Sequence, residues 1–184
     1  MKLLKDILYK VKLSSVIGPT GVLINTIQFD SRKVCDEDLF IAVPGTKSDG
    51  NDYVKDAIDK GAKAILTNSL PSKTFKEITY IMVNDVRQSL AQVASNFYDN
   101  PSHKLNLIGI TGTNGKTTTS TLMYQLFKLF NQKVGLISTN KILINDDEFE
   151  TDLTTPDPLT LNKVLKDMTN SKVKYCFMAV SYTH

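Results

Sequence analysis

Cysteine is nearly missing from this chain: only Cys35 and Cys176 occur among 184 residues, far apart and each inside an apolar stretch. Neither has a CxxC partner, which argues against a zinc site or a disulfide framework and leaves the expectation of two buried thiols. A dominant charge is missing too. The 22 basic and 19 acidic residues are interspersed and leave a net charge of +3, so no basic run marks a nucleic-acid surface. No stretch approaches the roughly 20 apolar residues that a membrane span requires. Lys2, Lys5 and Asp6 interrupt the first apolar residues too early for a signal peptide. There is no internal repeat and no low-complexity segment. What remains is an ordinary globular balance, 41% hydrophobic and 22% charged, sized for one large domain or two small ones. A cytoplasmic monomer with neither a nucleic-acid nor a membrane partner is expected.

Periodicity divides the chain into elements. Leu3, Leu4, Ile7, Leu8 and Val11 recur at helical spacing, which predicts a helix over 2–12. Strands are expected at 22–29, 39–43, 62–67 and 78–83. A helix over 51–61 is ended by Gly61, and another follows the candidate N-cap Asp85 and buries Val86, Leu90, Val93, Ala94 and Phe97. Asn100-Pro101 breaks the pattern and marks the expected boundary between domains 1–100 and 101–184. Beyond it come an apolar strand at 105–110, a helix at 117–130 and a strand at 133–138. A hairpin around Asn145-Asp146-Asp147, a helix at 158–168 and a buried strand at 173–180 complete the series. Strands alternating with helices imply an α/β fold with a mostly parallel sheet covered on both faces.

The most informative segment is Gly109-Ile110-Thr111-Gly112-Thr113-Asn114-Gly115-Lys116-Thr117-Thr118. An apolar strand runs into a glycine-rich loop, and Lys-Thr opens a helix. Glycines let backbone N–H groups approach phosphate oxygens, and the helix N-terminus adds positive partial charge. Lys116 can neutralise the β and γ phosphates, and the Thr117 hydroxyl can ligate Mg²⁺. The general Walker spacing asks for glycine five residues before Gly115, where Ile110 stands instead.

The variant Gly-Thr-Asn-Gly-Lys-Thr-Thr resembles the ATP site of the Mur ligase family. Asp30-Ser31-Arg32, Asp38-Leu39-Phe40, Gly45, Asp49-Gly50-Asn51-Asp52-Tyr53 and Gly61-Ala62 resemble the N-terminal domain of two branches, those adding the third residue and the D-Ala-D-Ala dipeptide of the peptidoglycan stem. Thr154-Thr155-Pro156-Asp157 is similar to the third-residue branch. The resemblance implies a small N-terminal α/β domain that binds the UDP-linked precursor, followed by the start of a P-loop ATPase domain. It implies ATP contacts at Gly112, Thr113, Asn114, Gly115, Lys116, Thr117 and Thr118, with Lys116 catalytic and Thr117 on Mg²⁺. On the UDP substrate it implies Ser31, the loop Thr46-Lys47-Ser48, Thr154, Thr155 and Ser181. Ser31 also reads as an ordinary turn serine, and Thr154 or Thr155 as the N-cap of the helix that starts at Pro158. His103 is expected to be solvated.

The implied reaction joins a diamino acid, meso-diaminopimelate in preference to L-lysine, to the D-glutamate carboxylate of UDP-MurNAc-L-Ala-D-Glu, with ATP and Mg²⁺. The last residues depart from the pattern. The family reads Glu-Val-Ser-Ser-His where this chain has Ala179-Val180-Ser181-Tyr182-Thr183-His184, so the metal-binding Glu and His are replaced. A truncated or frame-shifted end is expected, with the family's carboxylated lysine and third domain beyond residue 184. A chain inactive by itself follows from that. The alternatives are a non-catalytic nucleotide- and UDP-binding module, the dipeptide-adding branch, and an unrelated P-loop ATPase.

Overall fold

The structure is a computed structural model that describes residues 1–45, 48–139, 141–150 and 155–181. The chain forms two compact units, Met1–Phe97 and Tyr98–His184, each with mixed α/β architecture.

The first unit opens with β1 (Lys2–Leu3) and the single-turn α1 (Leu4–Ile7), followed by β2 (Leu13–Ile17), β3 (Leu23–Ile24) and β4 (Ile27–Gln28). After a 3-10 turn at Ser31–Lys33 come β5 (Leu39–Ile41), a second 3-10 turn at Gly50–Tyr53, α2 (Val54–Asp59), β6 (Ala64–Thr67), β7 (Thr79–Val83) and α3 (Val86–Phe97). The sheet order is β2-β7-β6-β5-β4, with β4 to β7 parallel and β2 antiparallel at one edge. β5 and β6 are buried along their whole length, as strands covered on both faces must be. On one face Phe40, Ile65 and Tyr80 pack with Val54 and Ala57 of α2; α3 packs with α1.

Several expectations change here. The helix expected over 2–12 is one turn long, because Leu3 pairs with Leu23 in a two-stranded ribbon and Lys10 takes a left-handed conformation (φ 58°) that no helix continues through. Leu4, Ile7 and Leu8 are buried all the same. The strand expected over 22–29 is split between two sheets as β3 and β4. β2 is mostly exposed and so carries no alternating apolar signal. Residues 50–53 wind as 3-10 rather than α, which leaves Tyr53 exposed while Val54 and Ala57 are buried. Gly61 ends this segment with φ 100°, and a Cβ there would fall 2.1 Å from Asp36 Oδ1.

The second unit carries a 3-10 turn at Pro101–Lys104, which includes His103, then β8 (Asn106–Ile110), α4 (Lys116–Leu129), β9 (Val134–Ile137), β10 (Lys141–Ile144), β11 (Asp147–Glu150), α5 (Pro158–Asn170) and β12 (Tyr175–Ala179). Sheet order is β11-β10-β9-β12-β8. β9, β12 and β8 are parallel, and β10 and β11 form the antiparallel hairpin, its two-residue turn at Asn145 and Asp146. β8 stands at the edge with Asn106 and Leu107 exposed. α4 lays Tyr124, Met123 and Phe127 over Val134, Leu136 and Phe177, while Leu165 and Met168 of α5 pack with Ile137, Ile142 and Cys176.

Of the two thiols, Cys176 is buried, and desolvation pushes it up to about 12. Cys35 is exposed. Its neighbour Val34 takes the core position, and the Cys35 thiol turns back towards the Lys33 carbonyl at 3.8 Å. Among the described residues no helix is long and apolar enough to cross a membrane.

Candidate functional site

In the second unit the C-terminal ends of the three parallel strands carry the polar residues. β8 runs into residues 111–115, and α4 starts at Lys116. Gly112 (φ 149°) and Gly115 (φ 79°) hold conformations that side chains disfavour. A Cβ at either would meet nothing closer than 3.6 Å, so glycine answers a backbone requirement and leaves the concave side open. Gly115 is the N-cap of α4 and no side chain caps the helix. The first-turn N–H groups therefore face outward with the positive end of the helix dipole, an arrangement suited to an anion. Lys116 Nζ folds back to donate to Gly112 O at 2.7 Å and Thr113 O at 3.4 Å. Thr113, Asn114, Thr117 and Thr118 are exposed. The Thr117 hydroxyl lies 3.1 Å from that of Thr139, just past β9. Sequence reasoning did not single out Thr139, because only the fold brings it to the loop.

Thr155 and Ser181 meet beside this loop. Thr155 Oγ1 accepts from Ser181 N at 3.1 Å, and Val180 N donates to Ile110 O at 2.9 Å, which prolongs the pairing of β12 with β8. The N-cap of α5 is Asp157 rather than either threonine: its carboxylate accepts from Leu159 N, Thr160 N and the Thr160 hydroxyl. Thr155 is thus not spent on the helix. Thr154, Tyr182, Thr183 and His184 lie outside the described residues. Ala179 ends β12, buried and without an oxygen donor. Among the described residues no group of three or more His, Cys, Asp or Glu side chains is placed to hold a metal. The loop's donor set of N–H groups, one ammonium and hydroxyls fits a phosphate, with one hydroxyl oxygen for a hard cation that takes its other ligands from phosphate and water.

The first unit holds a cavity of about 490 Å³ whose lining includes Phe29, Ser31, Arg32, Ser48, Gly50 and Tyr53. Two of the expected substrate residues, Ser31 and Ser48, share it; Thr46 and Lys47 lie outside the described residues. Ser31 opens its 3-10 turn, and its carbonyl accepts from Lys60 Nζ at 2.9 Å. Asp30 caps that turn through Arg32 N and grips the guanidinium at 2.9 and 2.8 Å. Buried Asp38 holds the segment from behind, accepting from Thr26 N, Thr26 Oγ1 and Cys35 N. Gly50 has no alternative in this wall, since a Cβ there would lie 2.5 Å from Val43 N. Phe29 and Tyr53, both about two-fifths exposed, add aromatic surface; Tyr53 lies in the Asp49-Gly50-Asn51-Asp52-Tyr53 motif without a site role, and Phe29 lies outside the motifs.

The Arg32 side chain, then its backbone N–H, lowers the Asp30 carboxyl from 3.8 to about 2. A depressed carboxylate stabilises the fold above its unfolded value and loses that contribution as pH falls. The pair should therefore be intact above pH 3.8 and dissolve on acidification through about pH 2. A carboxyl NMR titration checks this, and an Asp30 midpoint near the ordinary value would show that the pair does not form. Because Arg32 is highly exposed, the effect on global stability is expected to be slight.

Comparison with known families supplies the remaining observation. The family model described as "Mur ligase family, catalytic domain" matches residues 23–98, and "Mur ligase middle domain" matches residues 110–184. The chain belongs to the Mur ligase family. Its relatives in that family include the UDP-N-acetylmuramoyl-L-alanyl-D-glutamate–2,6-diaminopimelate ligase of Cytophaga hutchinsonii, 49% identical over 179 residues, which cover 97% of this chain and 37% of the relative. The ligase of the same name from Phocaeicola vulgatus is 44% identical over 97% of this chain and 37% of its own length. The chain therefore spans a little over a third of the Mur ligases it matches. A solved structure carrying that ligase name superposes with a TM-score of 0.76 at 23% identity, over 98% of this chain and 36% of the other. The MurF ligase of Thermotoga maritima, solved in complex with ADP, gives 0.56 at 25% identity over 85% of this chain and 32% of the other.

Proposed function

We propose that residues 1–100 bind a UDP-linked cell-wall precursor and residues 101–184 form the first part of the ATP-binding domain of a cytoplasmic ligase. That ligase joins 2,6-diaminopimelate to the D-glutamate carboxylate of UDP-MurNAc-L-Ala-D-Glu. The observation that carries this reading is the loop at 111–115, with both glycines at positive φ ahead of an uncapped helix. It occurs in a chain 49% identical over 97% of its length to a relative named for that reaction.

In this reading Gly112, Thr113, Asn114, Gly115, Thr117 and Thr118 cradle the nucleotide phosphates. Lys116 exchanges its carbonyl partners for phosphate oxygens and neutralises charge that develops on the transferring group. ATP supplies the phosphoryl group that makes a carboxylate electrophilic, and Mg²⁺, held by Thr117, supplies charge neutralisation. Thr154, Thr155 and Ser181 approach the sugar or pyrophosphate of the precursor. Ser31, Thr46, Lys47 and Ser48 contact the UDP moiety, and Phe29 and Tyr53 offer faces for a planar base. Ala179 stands where the resemblance calls for an acidic metal ligand, and a methyl group has no lone pair to give. That favours binding without catalysis by these 184 residues alone.

Two titrations of the purified chain test the reading, one with ATP and Mg²⁺ and one with UDP-MurNAc-L-Ala-D-Glu. Both are expected to saturate, with Ser31→Ala weakening only the second. Failure of either ligand to bind removes the corresponding half of the assignment.

A further inference from the structure

The contact between Thr117 and Thr139 joins two segments 22 residues apart in sequence, the first turn of α4 and the end of β9. We propose that Thr139 is a positioning residue for the phosphate loop, its side-chain oxygen accepting the Thr117 hydroxyl proton so that the Thr117 lone pairs face the cation of a bound nucleotide. The inference rests on the reading of residues 111–118 as a nucleotide site and extends it to a residue outside the motif.

A hydroxyl oxygen is roughly tetrahedral, so the direction of its O–H fixes where its lone pairs point. Thr117 is the second residue of α4, and the carbonyls three and four residues earlier, Asn114 O and Thr113 O, lie outside the helix beyond the left-handed Gly115, so the usual back-bond of a helical threonine is not set up. Thr113 O already accepts from Lys116 Nζ. Drawing the Thr117 proton towards Thr139 instead frees the oxygen to turn to a ligand. A cation on that oxygen polarises the O–H and strengthens its donation, so the two contacts support each other.

Thr139 is fit for this role because its backbone is anchored independently of α4. Ser138 is buried, and both its N–H and its hydroxyl donate to Lys141 O at 3.0 Å. That closure joins β9 to β10, and every residue of β9 is buried. The Thr139 side chain is thus presented from the rigid part of the sheet to a loop that is otherwise exposed. A preset partner of this kind spares the site reordering when its ligand arrives.

The test is calorimetric titration of ATP, with Mg²⁺ and with EDTA, into the unsubstituted chain, Thr139→Val, Thr139→Ser and Thr117→Val, with thermal melts to confirm folding. Thr139→Val is expected to weaken Mg²⁺-supported binding about three- to tenfold, the value of one hydrogen bond, and to leave binding in EDTA unchanged. Thr139→Ser should restore the affinity, and Thr139→Val should add nothing on top of Thr117→Val. If Thr139→Val does not fold, Thr139→Ala is held to the same comparison. Binding equal to the unsubstituted chain in both conditions overturns the positioning role and leaves the nucleotide site standing. An equal loss in Mg²⁺ and EDTA assigns Thr139 a merely structural part and overturns it too. An unsubstituted chain that binds no ATP overturns the nucleotide-site reading and this inference with it.

Discussion

Lys116→Ala is expected to lower the affinity of the chain for ATP about ten- to a hundredfold, the value of a charge-assisted hydrogen bond or two, while leaving the fold intact. Among the described residues its ammonium donates to the loop's own carbonyls, Gly112 O and Thr113 O, so its removal breaks no hydrogen bond to the sheet or to another helix. What is lost is an ammonium placed where the terminal phosphates would lie, beside an uncapped helix N-terminus. Lys116→Arg should recover part of the affinity, since charge is kept and the compact geometry is not. Calorimetric titration with circular dichroism decides the matter. Unchanged affinity in a folded variant would remove the loop from nucleotide binding.

Asp38→Ala should destabilise the first unit markedly. The carboxylate is 1% exposed and accepts from Thr26 N at 2.9 Å, Thr26 Oγ1 at 2.8 Å and Cys35 N at 2.9 Å. Truncation leaves two backbone N–H groups and a hydroxyl in part-buried positions without that partner, which costs about 3 kcal/mol. For a unit of this size that corresponds to a fall in melting temperature of roughly 10 °C or more. Asp38→Asn keeps one acceptor oxygen and should lose less. Because Asp38 ties Thr26 to Cys35 across the segment that carries Ser31, the same variant should also weaken UDP-precursor binding. A shift of only a degree or two by differential scanning calorimetry would refute the anchoring role.

Much of this candidate site could be read from the chain because a glycine-rich loop between a strand and a helix imposes local demands. The requirement for positive φ at Gly112 and Gly115, and for Lys-Thr at a helix start, is met within ten consecutive residues, where spacing alone is informative. The β10–β11 hairpin was legible for the same reason: Asn145 tolerates its left-handed conformation. Elements whose form depends on distant partners read less well. The apolar spacing of Leu4, Ile7 and Leu8 predicted three turns of helix, but a ribbon with β3 and a left-handed Lys10 cut it to one. β2 gave no signal because an edge strand with little burial needs no apolar alternation. Cys35 was expected to be buried, but the fold turns its neighbour Val34 inward and leaves the thiol exposed.

By itself, then, the sequence determined the α/β class, the position of the glycine-rich strand-to-helix loop and the family, since each depends on residue types at short fixed spacings. The tertiary structure alone decided which hydroxyls meet. Thr155 faces Ser181 across 26 residues because β12 ends beside β8, and Thr117 meets Thr139 because β9 ends two strands away. Asp157, and not either threonine before it, caps α5, so Thr155 is left to Ser181. Those contacts depend on strand order and on where each strand stops. Strand order is a property of long-range pairing, which local propensity and periodicity do not encode.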